Sequence, residues 1–317
     1  MGCALLCVLA VALPLAAQNQ NAPQKAAPPS PYLIETLIDI NEQLDLKQVW
    51  RVLDIKPPTD ADYHCRGGCE AETFDIETGE GKTVALKITH QSANFYQYLL
   101  FRQTSAGGWK LLGTVACFDQ RYGPPAHRIE HGDGRTWMVV RELAGRGMGM
   151  VAYEEGWNEI RDDEVKEVLS YPVEGRNQPC LQYLGHSYKA MVLRHGHENG
   201  TYTIPVQFMI AYNISTCDPA DTSPSLFAKG QKAFFVWNAA KDEFVLDERR
   251  SEVTEKQLDS AYTLEGASSE AFVEDNFAEL AEVATRGDAR RKAWLKNFLS
   301  RLQSTPHKAE LLRLLQP

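Results

Sequence analysis

The spacing of apolar residues changes character along the chain, and each change predicts a different kind of element. Leu5 to Leu13 form an uncharged apolar run that Pro14 breaks and the small residues Ala16 and Ala17 follow. Residues 1–17 therefore read as a secretory signal peptide, one without the usual basic start. The run is shorter than the roughly 20 residues that cross a bilayer. Residues 18–31 (QNQNAPQKAAPPSP) are rich in Pro, Ala and Gln and cannot bury apolar surface, which predicts a solvated tether. With Ser30 placed to cap and Pro31 at the first position, Leu33, Ile34, Leu37, Ile38 and Leu44 recur at helical spacing. An N-terminal helix is expected there, and Pro57-Pro58 ends the segment.

From about Glu70 to Asp247 the apolar residues fall into short β-branched and aromatic runs. These are Thr83–Thr89, Gln97–Gln103, Trp109–Phe118, Thr136–Leu143, Met150–Tyr153, Val165–Tyr171, Tyr188–Arg194, Tyr202–Tyr212, Ala233–Trp237 and Glu243–Leu246. Turn signals stand beside several of them: Gly107-Gly108, Asp133-Gly134, Asn199-Gly200 and Asn238 to Asp242. No long amphipathic stretch intervenes, so the region reads as an antiparallel meander and not as parallel βαβ units. Leu99–Gly113, Met150–Ile160 and Phe234–Asp247 each read as an aromatic strand, a turn and a second apolar strand. Their spacing follows no single period, which leaves a sandwich, a barrel and a propeller-like arrangement open.

After Gly266 helical spacing returns. Phe272, Phe277, Leu280, Ala281 and Ala284 line one stripe, Thr285-Arg286-Gly287 supplies a stop, and Asp288 can cap the next helix. Trp294, Leu295, Phe298, Leu299 and Leu302 then share a face, and Thr305-Pro306 opens a last short helix ending near Leu315. The chain thus divides into a signal peptide (1–17), a tether (18–31), a β-rich domain with a leading helix (32–267) and a C-terminal helical segment built as a hairpin (268–317).

Charge sharpens this picture. The 33 Lys and Arg against 42 Asp and Glu leave a net charge of −9, which argues against nucleic acid as a partner. Residues 268–284 hold five acids and no base, whereas 285–317 hold eight bases and two acids. A basic tail docking on an acidic body is expected. The helix over Asp288–Gln303, with Arg290, Lys292, Lys296 and Arg301 beside its apolar arc, also has the make-up of a membrane-surface helix.

An exported chain favours disulfides. Of seven cysteines, Cys3 and Cys7 leave with the signal peptide. Cys65 and Cys69, with two glycines between them, can form a tight pair, and Cys180 with Cys217 a second, while Cys117 stays reduced within an apolar run. The sharpest polar cluster is His195-Gly196-His197-Glu198, with His186 upstream. Two histidines at i and i+2 on a strand, with a carboxylate, are zinc-type ligands. Glu198-Asn199-Gly200 also reads as a hairpin turn, where polar residues belong, and on that reading no metal is assigned. Gly81-Lys82-Thr83 ends like a phosphate-binding loop, but Ile76 stands where the first glycine is needed and a strand follows. Gly145-Arg146-Gly147-Met148-Gly149 precedes a strand and not a helix, which excludes the dinucleotide fingerprint. It reads as a bulged connection, with Arg146, Gly147 and Met148 as a ligand edge. Gly185-His186-Ser187-Tyr188-Lys189 fails the GxSxG nucleophile pattern at its last position, and no cofactor is expected.

Together these features predict a mainly antiparallel-β protein, secreted or periplasmic, with no transmembrane span. Its expected role is non-catalytic binding of a protein, peptide or glycan. The alternative is a cell-envelope hydrolase or metalloenzyme centred on His186, His195, His197 and Glu198.

Overall fold

The β-branched and aromatic runs fold as expected, into antiparallel strands. The structure is a computed structural model and describes residues 69–90, 95–118, 127–147, 149–177, 184–214, 225–262 and 269–316, with residues 30, 31, 44, 45, 48, 51, 64 and 65 singly or in pairs. The signal peptide, nearly all of the tether and the N-terminal helix lie outside the described residues. So do Met148, Cys180 and Cys217, and the side chains of Cys65 and Cys69. Among the described residues no helix is long and apolar enough to cross a membrane.

Strands β1 (Leu44–Asp45) and β2 (His64–Cys65) form a short pair. Strands β3 (Cys69–Ile76), β4 (Thr83–His90), β5 (Phe95–Gln103) and β6 (Trp109–Phe118) form a four-stranded meander in chain order. The remaining strands form a nine-stranded antiparallel sheet: β7 (His127–Gly132), β8 (Arg135–Gly147), β9 (Met150–Arg161), β10 (Glu164–Asn177), β11 (Leu184–Val192), β12 (Gly196–Glu198), β13 (Thr201–Ile214), β14 (Ser225–Asn238) and β15 (Glu243–Leu246). Its order is β15-β14-β13-β11-β10-β9-β8-β7, with β12 also paired to β13, so the aromatic hairpins belong to continuous sheets and not to separate blades.

Turn chemistry explains most of the reversals. Asp133-Gly134 and Asn199-Gly200 all take positive φ, as tight two-residue hairpins require. Asp162 and Asp163 do the same between β9 and β10 without a glycine to announce it. The segment Met150–Ile160, expected as a hairpin, is instead part of the single strand β9. Glu155 there is buried and not in a turn, and Gly156 leaves room for the Glu167 carboxylate, 2.9 Å from where a Cβ would stand.

Alternation along β8 sends side chains to two cores. Met138 and Val140 join Ile160 of β9 and the four-stranded sheet's Ile76, Ala85, Tyr98, Leu100 and Leu112. Trp137 and Val139 face the other way, into the larger core. There the nine-stranded sheet curls back on itself: Trp137 of β8 meets Tyr202 of β13 at 5.4 Å and Phe244 of β15 at 6.1 Å, and Tyr171 of β10 stacks on Phe235 of β14 at 5.7 Å.

The C-terminal helices pack on β10 and on the ends of β13 and β14 that carry Tyr212 and Phe227. They are α1 (Glu255–Tyr262), α2 (Ser269–Asp275), α3 (Phe277–Arg286), α4 (Ala289–Ser300) and α5 (Pro306–Leu314). The stripe expected as one helix breaks at buried Asn276, whose side-chain amide donates to the Phe272 carbonyl at 2.7 Å. Asp288 and Thr305 cap α4 and α5, accepting from the N–H groups of Arg291 and Lys308. Phe272 packs on Tyr212 and Phe227, and Arg291 donates to the Ser225 carbonyl of β14 at 2.9 Å, which docks the basic segment on the sheet.

Candidate functional site

Two adjoining clefts open along β11. β10 and β11 pair only from Glu174↔Lys189 to Asn177↔His186. Beyond Lys189 the strands part, and a cleft of about 660 Å³ lies between them, lined by Tyr171 and Val173 of β10 and by residues 190–195 at the end of β11 and just after it. That volume falls in the range of roughly 300–1,000 Å³ common to ligand clefts. The parting has a cause in β10, where the register shifts between Pro172 and Glu174. Proline has no N–H for a ladder and is confined to sheet edges or bulges.

One wall of this cleft is a fixed ionic network. Arg128 of β7 grips the Glu155 carboxylate with two nitrogens, at 2.6 and 2.7 Å, and its Nε donates to Glu130 at 2.8 Å. The Glu155 carboxylate also accepts from the Trp157 indole at 3.3 Å and from the Tyr171 hydroxyl. Burial opposes the charge on Arg128, but its two carboxylate partners outweigh it and hold the guanidinium charged. Burial, and then the Glu155 charge, push the Tyr171 phenol well above its ordinary value. Burial likewise works against ionised Glu130, yet Arg128 and His195 draw its pKa below the ordinary carboxylate value.

His195 closes the network. Its Nε2 lies 3.2 Å from Glu130 and its Nδ1 2.7 Å from the Tyr202 hydroxyl, while the ring meets Trp157 edge-on. Burial and the charges of Asp133 and Glu130 keep Tyr202 in its phenol form. The hydroxyl reaches its place because residue 132 is glycine: a Cβ there would stand 1.7 Å from the Tyr202 oxygen.

The facing wall is apolar and carries backbone edges. Leu193 donates from its N–H to the Pro205 carbonyl at 2.8 Å, continuing the β11–β13 ladder. Antiparallel ladders alternate, so Leu193, Met191 and Lys189 turn their backbone groups to β13. Ala190 and Val192 turn theirs to the cleft, where no described strand pairs with them.

The second cleft, of about 550 Å³, lies over the paired part of β10 and β11. Its lining includes Arg141, Tyr153, Glu174, Arg176, Ser187 and Lys189. The Arg141 guanidinium lies over the Tyr153 ring at 4.2 Å and donates to Glu174 at 3.0 Å. Exposed Met191 and Met209 flank the two clefts.

The histidine cluster divides on folding. His195 enters the first cleft, whereas His197 lies 2.7 Å from Asp133 at the β7–β8 turn, and Glu198 pairs with Arg250. His186 sits on β11 beside Tyr188 and Tyr212. Among the described residues no three His, Cys, Asp or Glu side chains group as a metal would require. Arg146 and Gly147 end β8, and Arg146 stands opposite Val151, which lines the second cleft. Arg128, Glu130 and Glu155 escaped the sequence reading. The signal available was Arg128-Ile129-Glu130, opposite charges two residues apart that share one face of a strand.

No protein-family model, curated protein or solved structure matches the chain.

Proposed function

We propose that this is an exported peptide-binding protein that takes an extended peptide as an added strand on β11, in the first cleft. The observation that carries this reading is the parting of β10 and β11. It leaves the N–H and C=O groups of Ala190 and Val192 facing a cleft instead of a strand. A sheet edge of this kind gains main-chain hydrogen bonds from an extended peptide, and neighbouring side-chain pockets then supply specificity. Two features support a preformed site. The Arg128–Glu155–Tyr171 network holds its wall without help from a ligand, and Met191 offers a flexible apolar contact that is 61% exposed. A binding role also suits His195, both of whose nitrogens are already engaged. Export rests on the signal-like run at Leu5–Leu13.

The test uses random decapeptides fused to the C-terminus of a carrier, enriched on the purified protein, then synthesised and titrated by calorimetry. Val192→Pro removes an N–H that points into the cleft and takes no part in the β13 ladder. The variant is expected to melt like the wild type and to bind enriched peptides at least about tenfold more weakly, the worth of roughly one backbone hydrogen bond. Enrichment of no peptide, or undiminished binding to Val192→Pro, would falsify strand addition.

A further inference from the structure

We infer that the second cleft captures the C-terminal carboxylate of the added peptide, an inference that rests on the strand-addition reading above. The lane open to the peptide is closed at one end. Beside Ala190 and Val192 the slot next to β11 is open, but one residue further toward the start of β11 it is filled by Glu174 of β10, paired with Lys189. A peptide in that slot cannot continue past the junction. Every ladder of this sheet is antiparallel, and a peptide antiparallel to β11 runs in the same sense as β10. The end it brings to the junction is therefore its C-terminus.

The junction is cationic where that end arrives. Lys189 stands opposite Glu174, and Arg176 stands opposite Ser187, so the two cations are diagonal neighbours on one face, about 7–8 Å apart at their backbones. Both side chains are long enough to meet at one carboxylate. Both are exposed, and among the described residues neither has an ion-pair partner. The one carboxylate in the cleft, Glu174, is already taken by Arg141 at 3.0 Å. A chain of net charge −9 thus presents two uncompensated positive groups beside the closed end of a peptide slot. A chain terminus also suits the site chemically, because it ends the main chain where the slot ends and supplies the anion that Lys189 and Arg176 lack.

The enriched decapeptides, made once with a free C-terminal carboxylate and once as the amide, are titrated into wild type and into the Arg176→Gln/Lys189→Gln double variant. Amidation is expected to weaken binding to wild type at least tenfold. The double variant should bind the free acid as weakly as wild type binds the amide, and should bind the amide as wild type does. Equal affinity of wild type for acid and amide overturns carboxylate capture while leaving strand addition standing. A preference for the acid that survives in the double variant overturns the assignment to Lys189 and Arg176. If neither form binds wild type, strand addition fails and this inference fails with it.

Discussion

Single side chains here often serve two elements at once, and His127 does so at the seam between the sheets. Its ring stacks on Phe74 of β3 at 4.5 Å, and its Nδ1 lies 3.2 Å from the Tyr98 hydroxyl of β5. Burial, and after it the charge of Lys87, lowers the His127 pKa below its ordinary 6.5. A folded-state pKa below the unfolded one means the unfolded chain takes up the proton first as pH falls. The stability contributed by neutral His127 is therefore complete above 6.5 and is lost as pH drops from there through the folded value. Thermal melts between about pH 7 and pH 5 are expected to show this loss in the wild type and a flatter profile in His127→Phe, which keeps the stack but cannot titrate. An equally steep profile in the variant would show that other groups cause the acid sensitivity.

At the scale of the strand, a row of like charges works against the fold. Glu142 of β8 stands directly opposite Glu154 of β9, and the pKa of Glu142 is raised by burial and then by the charges of Glu167 and Glu154. Burial and Glu154 raise Glu167 as well. A carboxylate whose folded pKa lies above the unfolded one stabilises the native state only while protonated, so stability falls as pH rises above the ordinary 4.5. Glu142→Gln should therefore raise stability at neutral pH by roughly 0.5–1 kcal/mol, the scale of directly opposed like charges, and give no gain below pH 4.5. Denaturant midpoints at both pH values decide it; a neutral effect at pH 7 would mean that the row relaxes into solvent.

The same scale explains what could be read from the sequence. Strand runs and glycine-bearing turns were legible because side-chain alternation and positive φ are local demands, as at Asp133-Gly134 and Asn199-Gly200. The Asp162-Asp163 turn was not, since aspartate tolerates positive φ without requiring it. The cleft was missed for another reason. Its network joins Arg128 to Glu155 and Glu130 to His195, partners 27 and 65 residues apart, and no local pattern encodes such meetings. One local clue existed: Pro172, at the end of an aromatic run, stands where β10 changes register and the sheet splits.

For the whole molecule, the question is what keeps a strongly curled sheet closed when, among the described residues, no ladder joins its ends. Side-chain pairs replace the ladder at two places. Near the first cleft, His195–Glu130 and His197–Asp133 tie the segment around β12 to β7 and its turn. At the second place, Asp242 in the β14–β15 turn accepts from Arg161 of β9 at 2.7 Å and from Lys166 of β10 at 3.0 Å. Hydrogen bonds from Arg161 and then Lys166 lower the Asp242 pKa, so this tie is complete above the ordinary aspartate value and is released only as pH falls through the lower, folded one. Exposed pairs of this kind add little to global stability. Their loss should instead appear as local opening. Asp242→Asn is expected to leave the cooperative melt nearly unchanged while speeding amide exchange in Glu243–Leu246 of β15 and in the facing start of β10. Amides around Ala190 and Val192, beside the first cleft, should exchange as before. Faster exchange in both segments would mean that the curl opens as one unit, and the Asp242 tie would then govern access to the peptide cleft as well.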